Sequence, residues 1–312
     1  MGAPVVLAVV AVGVAALAGG GGRASAAPVV PAVVYAVKGD LYAVAVDGSR
    51  RVRLTRTRAP EYCPAVSPDR RRVAFVTERG ALMTMRLDGT GRRLLTRDGG
   101  CTPAWAPSGR TIFFVRYRAR SEYAATSCGA IFRVGAGGGR ARRVTAGYAA
   151  RPRFTRSHED PAVSPDGRRL AFTDNIACGE GGTSYFRLRV VDVNGRPTRD
   201  LAKLRQTFHL ERADPSWAPD GRRLVYQVQR GSELGILNRD GSGERRLVKE
   251  GNSPSWSADG HWIAFTRPAG RDDRLLVVRP DGSGIHALAH GARDDLGNST
   301  LEVAGWLPQV PK

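Results

Sequence analysis

The sequence predicts an all-β protein, a six-bladed β-propeller of four-stranded blades whose ring closes by pairing the C-terminal strand with the N-terminal blade. Three observations carry the prediction. A turn-centred segment recurs five times, a second turn signal follows each copy, and the two chain ends hold complementary fragments of a sixth unit. A composition of 42% hydrophobic and 25% charged residues excludes a disordered or fibrous chain. The 38 Gly and 19 Pro supply the turns that many short strands need.

The repeats run Pro64–Phe75, Pro103–Phe114, Pro161–Phe172, Pro215–Tyr226 and Pro254–Phe265, and they align without gaps. Each reads as a hairpin. A short strand ends at Val66, Trp105, Val163, Trp217 or Trp256, a Ser/Ala-Pro-Asp-Gly type turn follows, and an alternating strand such as Leu170-Ala171-Phe172 comes next. Pro pre-sets φ, Asp can accept backbone N–H groups and Gly tolerates positive φ. A second hairpin carries Asp47-Gly48, Asp88-Gly89, Asn194-Gly195, Asp240-Gly241 or Asp281-Gly282 at its tip. Four strands per 39 to 58 residues describe a propeller blade. Residues 33–55 supply three strands of a further blade and residues 302–308, with Trp306, supply its missing first strand. Joining them leaves no open sheet edge. The blades are named below by their leading proline, and the sixth is the split blade.

Residues 4–17 are almost wholly Ala, Val, Leu and Gly, and Ala24-Ser25-Ala26-Ala27 follows. The run is shorter than the roughly 20 residues of a membrane span, and the small residues suit a signal peptidase. Residues 1–27 are therefore read as a signal peptide cleaved near Ala26 or Ala27, with a retained anchor as the alternative. The mature chain, 28–312, is read as one propeller domain, secreted or periplasmic and envelope-associated, without a transmembrane segment. Cys63, Cys101, Cys128 and Cys178 lack the spacing of a zinc or redox motif, so an even count in an exported chain reads as disulfides. Equivalent loops of neighbouring blades suggest the pairs Cys63–Cys101 and Cys128–Cys178.

The Ser-Pro-Asp-Gly-Arg-Arg-Leu-Ala-Phe segment at Ser164–Phe172 and the Asp-Gly-Ser-Gly-Glu-Arg-Arg-Leu segment at Asp240–Leu247 resemble the WD40-like PD40 repeat of TolB-type propellers. The resemblance covers residues 33–308. It implies a propeller that binds another protein, since the TolB propeller docks a peptidoglycan-associated lipoprotein. Blade residues start directly after the apolar segment, so the small α/β domain that precedes the TolB propeller is not expected here. Nor is the α/β-hydrolase domain that follows similar propellers in prolyl-oligopeptidase-type enzymes. Ser108 replaces the turn Asp of the Pro103 blade, and Arg70 replaces the turn Gly of the Pro64 blade. Each costs about 1 kcal/mol without changing the fold.

Up-and-down blades place all Pro-Asp-Gly and Asp-Gly tips on one tight face and every longer loop on the other. The long loops are expected at Arg116–Gly129, Ala146–Asp160, Asp174–Ser184 and Lys203–Asp214, with aromatics Tyr117, Tyr123, Tyr148, Phe154, Tyr185 and Phe208. Candidate binding residues on that face are Glu61, Tyr62, Tyr123, Tyr148, His158, Glu159, Asp160, His209, Glu211, Arg212, Asp214 and Glu302. No catalytic set, cofactor or metal is expected, because no nucleophile elbow, His-Glu motif or calcium loop accompanies them.

The formal charge of +19, with 48 Lys and Arg against 29 Asp and Glu, permits anionic partners. The Arg pairs 71–72, 92–93, 142–143, 168–169, 222–223 and 245–246 track the repeat and read as solvated strand starts on the tight face. Nucleic acid is not an expected partner, for want of a stacking aromatic stripe. The expected function is a monomeric, non-enzymatic scaffold for a protein or cell-wall component, acting through the loop-rich face. The alternative is an extracytoplasmic hydrolase or lyase acting on a carbohydrate or peptide at the central channel.

Overall fold

The computed structural model describes residues 30–57, 59–117, 129–145, 154–178, 184–196, 214–228, 233–270, 272–292 and 301–311, so residues 1–27 lie outside the described residues. Every regular element among these residues is a strand. β1 (Ala32–Val37), β2 (Asp40–Ala45) and β3 (Arg51–Arg53) belong to the split blade. The Pro64 blade holds β4 (Tyr62–Val66), β5 (Arg72–Val76), β6 (Leu82–Arg86) and β7 (Arg93–Thr96). The Pro103 blade holds β8 (Ala104–Trp105), β9 (Thr111–Tyr117), β10 (Gly129–Gly135) and β11 (Arg142–Arg143). The Pro161 blade shows β12 (Phe154–Val163), β13 (Arg169–Cys178) and β14 (Ser184–Asp192), and its expected fourth strand falls outside the described residues. The Pro215 blade holds β15 (Ser216–Trp217), β16 (Arg223–Val228), β17 (Glu233–Asn238) and β18 (Arg245–Val248). The Pro254 blade holds β19 (Asn252–Trp256), β20 (Ile263–Ala269), β21 (Asp272–Val278) and β22 (His286–Ala292). β23 (Leu301–Leu307) comes last.

β23 pairs antiparallel with β1, from Ala32 opposite Leu307 to Val37 opposite Leu301. The split blade is thus ordered β23-β1-β2-β3, and the ring closes as the complementary chain ends predict. The first strands β23, β4, β8, β12, β15 and β19 each touch the next around the ring, and β19 returns to β23. They form the innermost layer.

The core lies between blades rather than within one. Phe265 and Ile263 pack with Val225 and Leu234 of the preceding blade, and Trp217 packs with Ala171 and Val190 of its predecessor. The recurrent tryptophans stitch these seams. The indole N–H groups of Trp105, Trp217 and Trp306 donate to the carbonyls of Ala65, Ala162 and Ser255, the same position of the preceding blade, at 3.0, 3.1 and 3.2 Å. Trp256 departs: its indole donates to Gly260 in its own turn, and its backbone N–H donates to Ser216 Oγ at 3.0 Å. Arg72 and Arg223, second members of Arg pairs, stack on Trp105 and Trp256 of the next blade, each at 5.1 Å. Those two arginines therefore pack the seams as well as solvating the rim.

Polar side chains close the tight turns. Ser67 Oγ donates to Asp69 at 2.5 Å and accepts from Arg72 N at 2.9 Å, while Asp69 also accepts Arg71 N. Ser164, Asp166 and Arg169 repeat this arrangement. These bonds, the serine hydroxyl first, hold the Asp69 and Asp166 carboxyls below the usual carboxylate range. The fourth turn residue has φ of 66°, 70°, 66° and 76° in Gly109, Gly167, Gly221 and Gly260, and Arg70 takes the same left-handed conformation at 60°.

Two outcomes follow. Arg70→Gly raises unfolding free energy by about 1 kcal/mol in a denaturant titration, because a left-handed residue with a Cβ is relieved. Ser67→Ala with Ser164→Ala lowers stability at pH 7. A carboxyl depressed in the folded state contributes stability above its unfolded value and loses it as pH falls. The deficit of the double variant therefore shrinks below about pH 4, and thermal melts from pH 7 to pH 2 measure it.

Candidate functional site

The site begins at the residue before each leading proline. Cys63, Thr102, Asp160, Asp214 and Ser253 all have positive φ, at 49°, 55°, 51°, 36° and 49°. A residue before proline ordinarily prefers extended backbone, so the same strain recurs at equivalent positions in five blades. Register shifts in β4, β12 and β19 show its form, a bulge at the loop-rich end of the innermost strand. Bulges re-aim side chains and occur beside functional sites.

Bonds between neighbours hold this ring. Ser253 Oγ donates to Asp214 Oδ2 at 3.1 Å, across two blades. Glu302 of β23 accepts the Cys63 backbone N–H at 2.7 Å, joining the split blade to the Pro64 blade. Cys63 and Cys101 form a disulfide with Cα atoms 5.8 Å apart, joining the Pro64 and Pro103 blades as the spacing of equivalent loops suggests. Cys128 lies outside the described residues and Cys178 ends β13. Tyr62 and Tyr117 stand beside this bridge with relative exposures of 41% and 37%, although both belong to strands that are otherwise largely covered. Gly100, next to Cys101, backs onto Tyr117: a Cβ there would lie 2.0 Å from Val115 O and 3.0 Å from the Tyr117 ring.

Other candidates turn inward. Glu61 is buried between the split and Pro64 blades, where its carboxylate accepts Thr57 Oγ1 at 2.5 Å and pairs with Arg92. Burial pushes its pKa up, and Thr57 and Arg92 offset part of that rise. His158, Glu159 and Asp160 were expected in a loop but lie in β12, which runs back to Phe154 and pairs with an extended β13. His158 is 5% exposed, packs on Phe172 at 4.8 Å and sits 3.3 Å from Asp174, which also meets Arg189 at 3.3 Å. Glu159 accepts Ser157 Oγ at 2.7 Å, and Asp160 accepts Thr173 Oγ1 at 3.0 Å. Tyr123, Tyr148, His209, Glu211 and Arg212 lie outside the described residues. Among the described residues no three His, Cys, Asp or Glu side chains are grouped to hold a metal, and no helix is long and apolar enough to cross a membrane. That Tyr117 is exposed near the Cys63–Cys101 bridge was not evident in the sequence, because it reads there as one loop aromatic among six.

A closed ring of six repeat-built blades defines a β-propeller. The family model described as the TolB beta propeller domain, PD40, matches residues 38–250, and the chain belongs to that family. The Tol-Pal system protein TolB of Thioalkalivibrio sulfidiphilus is 35% identical over 88 residues, which cover 26% of this chain and 19% of that protein. The chain spans less than two thirds of the length of the curated relatives it matches. The solved structure of a putative TolB from Agrobacterium tumefaciens aligns with a TM-score of 0.62 at 16% identity, covering 88% of this chain and 97% of that one. An oligogalacturonate lyase in complex with manganese aligns at 0.51 and 16%, covering 82% and 71%. At these identities the two structures share the fold.

Removing Glu61 leaves Arg92 without its carboxylate, so Glu61→Ala costs about 2 kcal/mol, below the full value for a buried pair because Arg92 is partly exposed. Glu61→Gln, which can still bond Thr57, costs less; paired denaturant titrations rank the two. The Cys63–Cys101 bridge spans 38 residues, and Cys63→Ser with Cys101→Ser lowers stability by about 3 kcal/mol in the same assay.

Proposed function

We propose that this protein is an exported, TolB-like binding scaffold that engages a protein or cell-envelope component through its loop-rich face, centred where the Pro64 and Pro103 blades meet. The observation that carries this reading is the pair of exposed tyrosines, Tyr62 and Tyr117, beside the Cys63–Cys101 disulfide. Tyrosine offers a large amphipathic contact area, and interface cores are enriched in it. The strained bulge and the bridge constrain the backbone at Cys63, next to Tyr62, and at Cys101, whose neighbour Gly100 meets Tyr117, which supports a reduced ordering cost on association. The disulfide also supports an oxidising, extracytoplasmic location. The family supports a binding role, as does the name of the Tol-Pal relative.

The hydrolase or lyase reading draws less support. His158, Asp160 and Asp174 are nearly fully buried and engaged with Phe172, Thr173 and Arg189. A catalytic acid or base must come within hydrogen-bond reach of the atom it protonates, and these groups face the protein interior.

The test is retention of a partner from the native envelope fraction on oxidised, immobilised protein. Tyr62→Ala with Tyr117→Ala removes two exposed rings of the kind whose truncation costs about 2 kcal/mol at an interface, so retention falls by at least tenfold. Arg110→Ala with Arg168→Ala, on the tight face, leaves it unchanged. Loss with the arginine variant alone, with both proteins folded, contradicts the assignment.

A further inference from the structure

We propose that the tight-turn face carries a separate site for a phosphate ester or diester, in the cleft where the Pro215, Pro254 and split blades meet. The cleft has a volume of about 710 Å³, and its walls include Pro31, Arg223, Arg245, His261, Trp262 and Arg279. Its two carboxylates accept turn hydrogen bonds, and Asp281 also interacts electrostatically with Arg279, so the lining is not free of negative groups but carries more positive ones. Asp259 Oδ1 accepts Ser257 Oγ at 2.6 Å and His261 N at 3.0 Å, and Asp281 Oδ1 accepts Ser283 N at 2.8 Å. The cations are held in place by other contacts. Arg279 stacks on Trp262 at 5.3 Å and Arg223 on Trp256 at 5.1 Å, while Arg245 donates one N–H to the Pro280 carbonyl. Arg223 also lies 3.6 Å from Asp220. Neither Arg245 nor Arg279 forms an ion pair among the described residues. Guanidinium groups oriented by stacking present several N–H donors each, which suits the oxygens of a phosphate.

The repeat shows that this cleft is a local departure. The second residue after the turn Gly position is Arg72, Arg169 and Arg223 in three blades, Thr111 in the Pro103 blade and an aromatic, Trp262, only in the Pro254 blade. The half-buried indole there meets the His286 ring edge-on at 5.5 Å and forms a flat apolar wall beside the arginines. Such a wall suits the glycerol or sugar portion of a phosphate ester. Placement supplies a second argument. Pro31, whose carbonyl accepts Val46 N at 2.9 Å, lines the cleft, so the chain enters the propeller at this spot. The apolar run of residues 4–17 precedes it in sequence. Under the alternative in which that run stays as an anchor rather than being cleaved, this cleft, and not the loop-rich face, would lie towards lipid headgroups.

Titration calorimetry with glycerophosphoglycerol, a soluble phosphodiester, tests the site on the oxidised full chain. Saturable binding with one site per chain is expected. Arg245→Ala with Arg279→Ala weakens it at least tenfold, whereas Arg110→Ala with Arg168→Ala, which removes equal charge from the same face, changes it less than about twofold. Sedimentation with vesicles of phosphatidylglycerol and phosphatidylcholine then separates the sources. Vesicle binding lost in the first variant alone assigns a lipid headgroup, and glycerophosphoglycerol binding without vesicle binding assigns a soluble or polymeric phosphodiester. No saturable binding of glycerophosphoglycerol, or equal loss in the two variants, overturns the proposal.

Discussion

Pairing of β23 with β1 is the contact on which the rest of the structure depends. Without it the split blade loses its innermost strand, and two sheet edges would face solvent. With it, every blade has a neighbour on both sides, and a hydrophobic cluster bridges the split blade to the Pro254 blade as others bridge consecutive blades. One of the three indole-to-carbonyl bonds involves the closing strand itself, because Trp306 in β23 donates to Ser255 of the last complete blade. A net hydrogen bond contributes about 1 kcal/mol, so these stitches matter more for register than as a sum of energies.

Closure also explains why strain is tolerated at the loop-rich end. Five pre-proline residues in left-handed conformations are costly individually, of order 1–3 kcal/mol each, and persist because the surrounding ring over-determines them. The bulges turn the ends of the innermost strands so that Cys63 can meet Cys101 and Asp214 can meet Ser253 across blade boundaries. The same frame holds Tyr62 and Tyr117 at the surface beside the bridge. The two faces thus differ by construction. The tight face is made of uniform turns with an arginine-lined cleft, and the other carries the strained ring and the exposed rings.

The fold was legible because proline, glycine and tryptophan recur where backbone chemistry demands them. Pro-Asp-Gly fixes a turn, and the Trp position marks an inter-blade seam. The Cys63–Cys101 pair was legible for the same reason, since equivalent positions of adjacent blades must be close. The direction of side chains was less accessible. Glu61 precedes β4 by one residue and reads as a surface acid, yet Thr57 and Arg92 draw it into the seam. His158 and Asp160 read as loop residues because a proline and three charges interrupt the segment. Pairing with β13 instead continues the strand across a bulge. The role of Arg72 was hidden as well, since a charge pair gives no sign that one member lies on an indole of the next blade.

A partner docked as proposed, at the loop-rich junction of the Pro64 and Pro103 blades, would shield the backbone amides there. Amide hydrogen exchange of the oxidised protein, free and with a captured envelope component bound, measures that shielding. The account predicts new protection at residues 61–63, 100–102 and 115–117, with unchanged exchange in the tight turns at 67–72 and 106–111. Protection confined to the tight turns, with residues 61–63 and 115–117 exchanging as in the free protein, would contradict it.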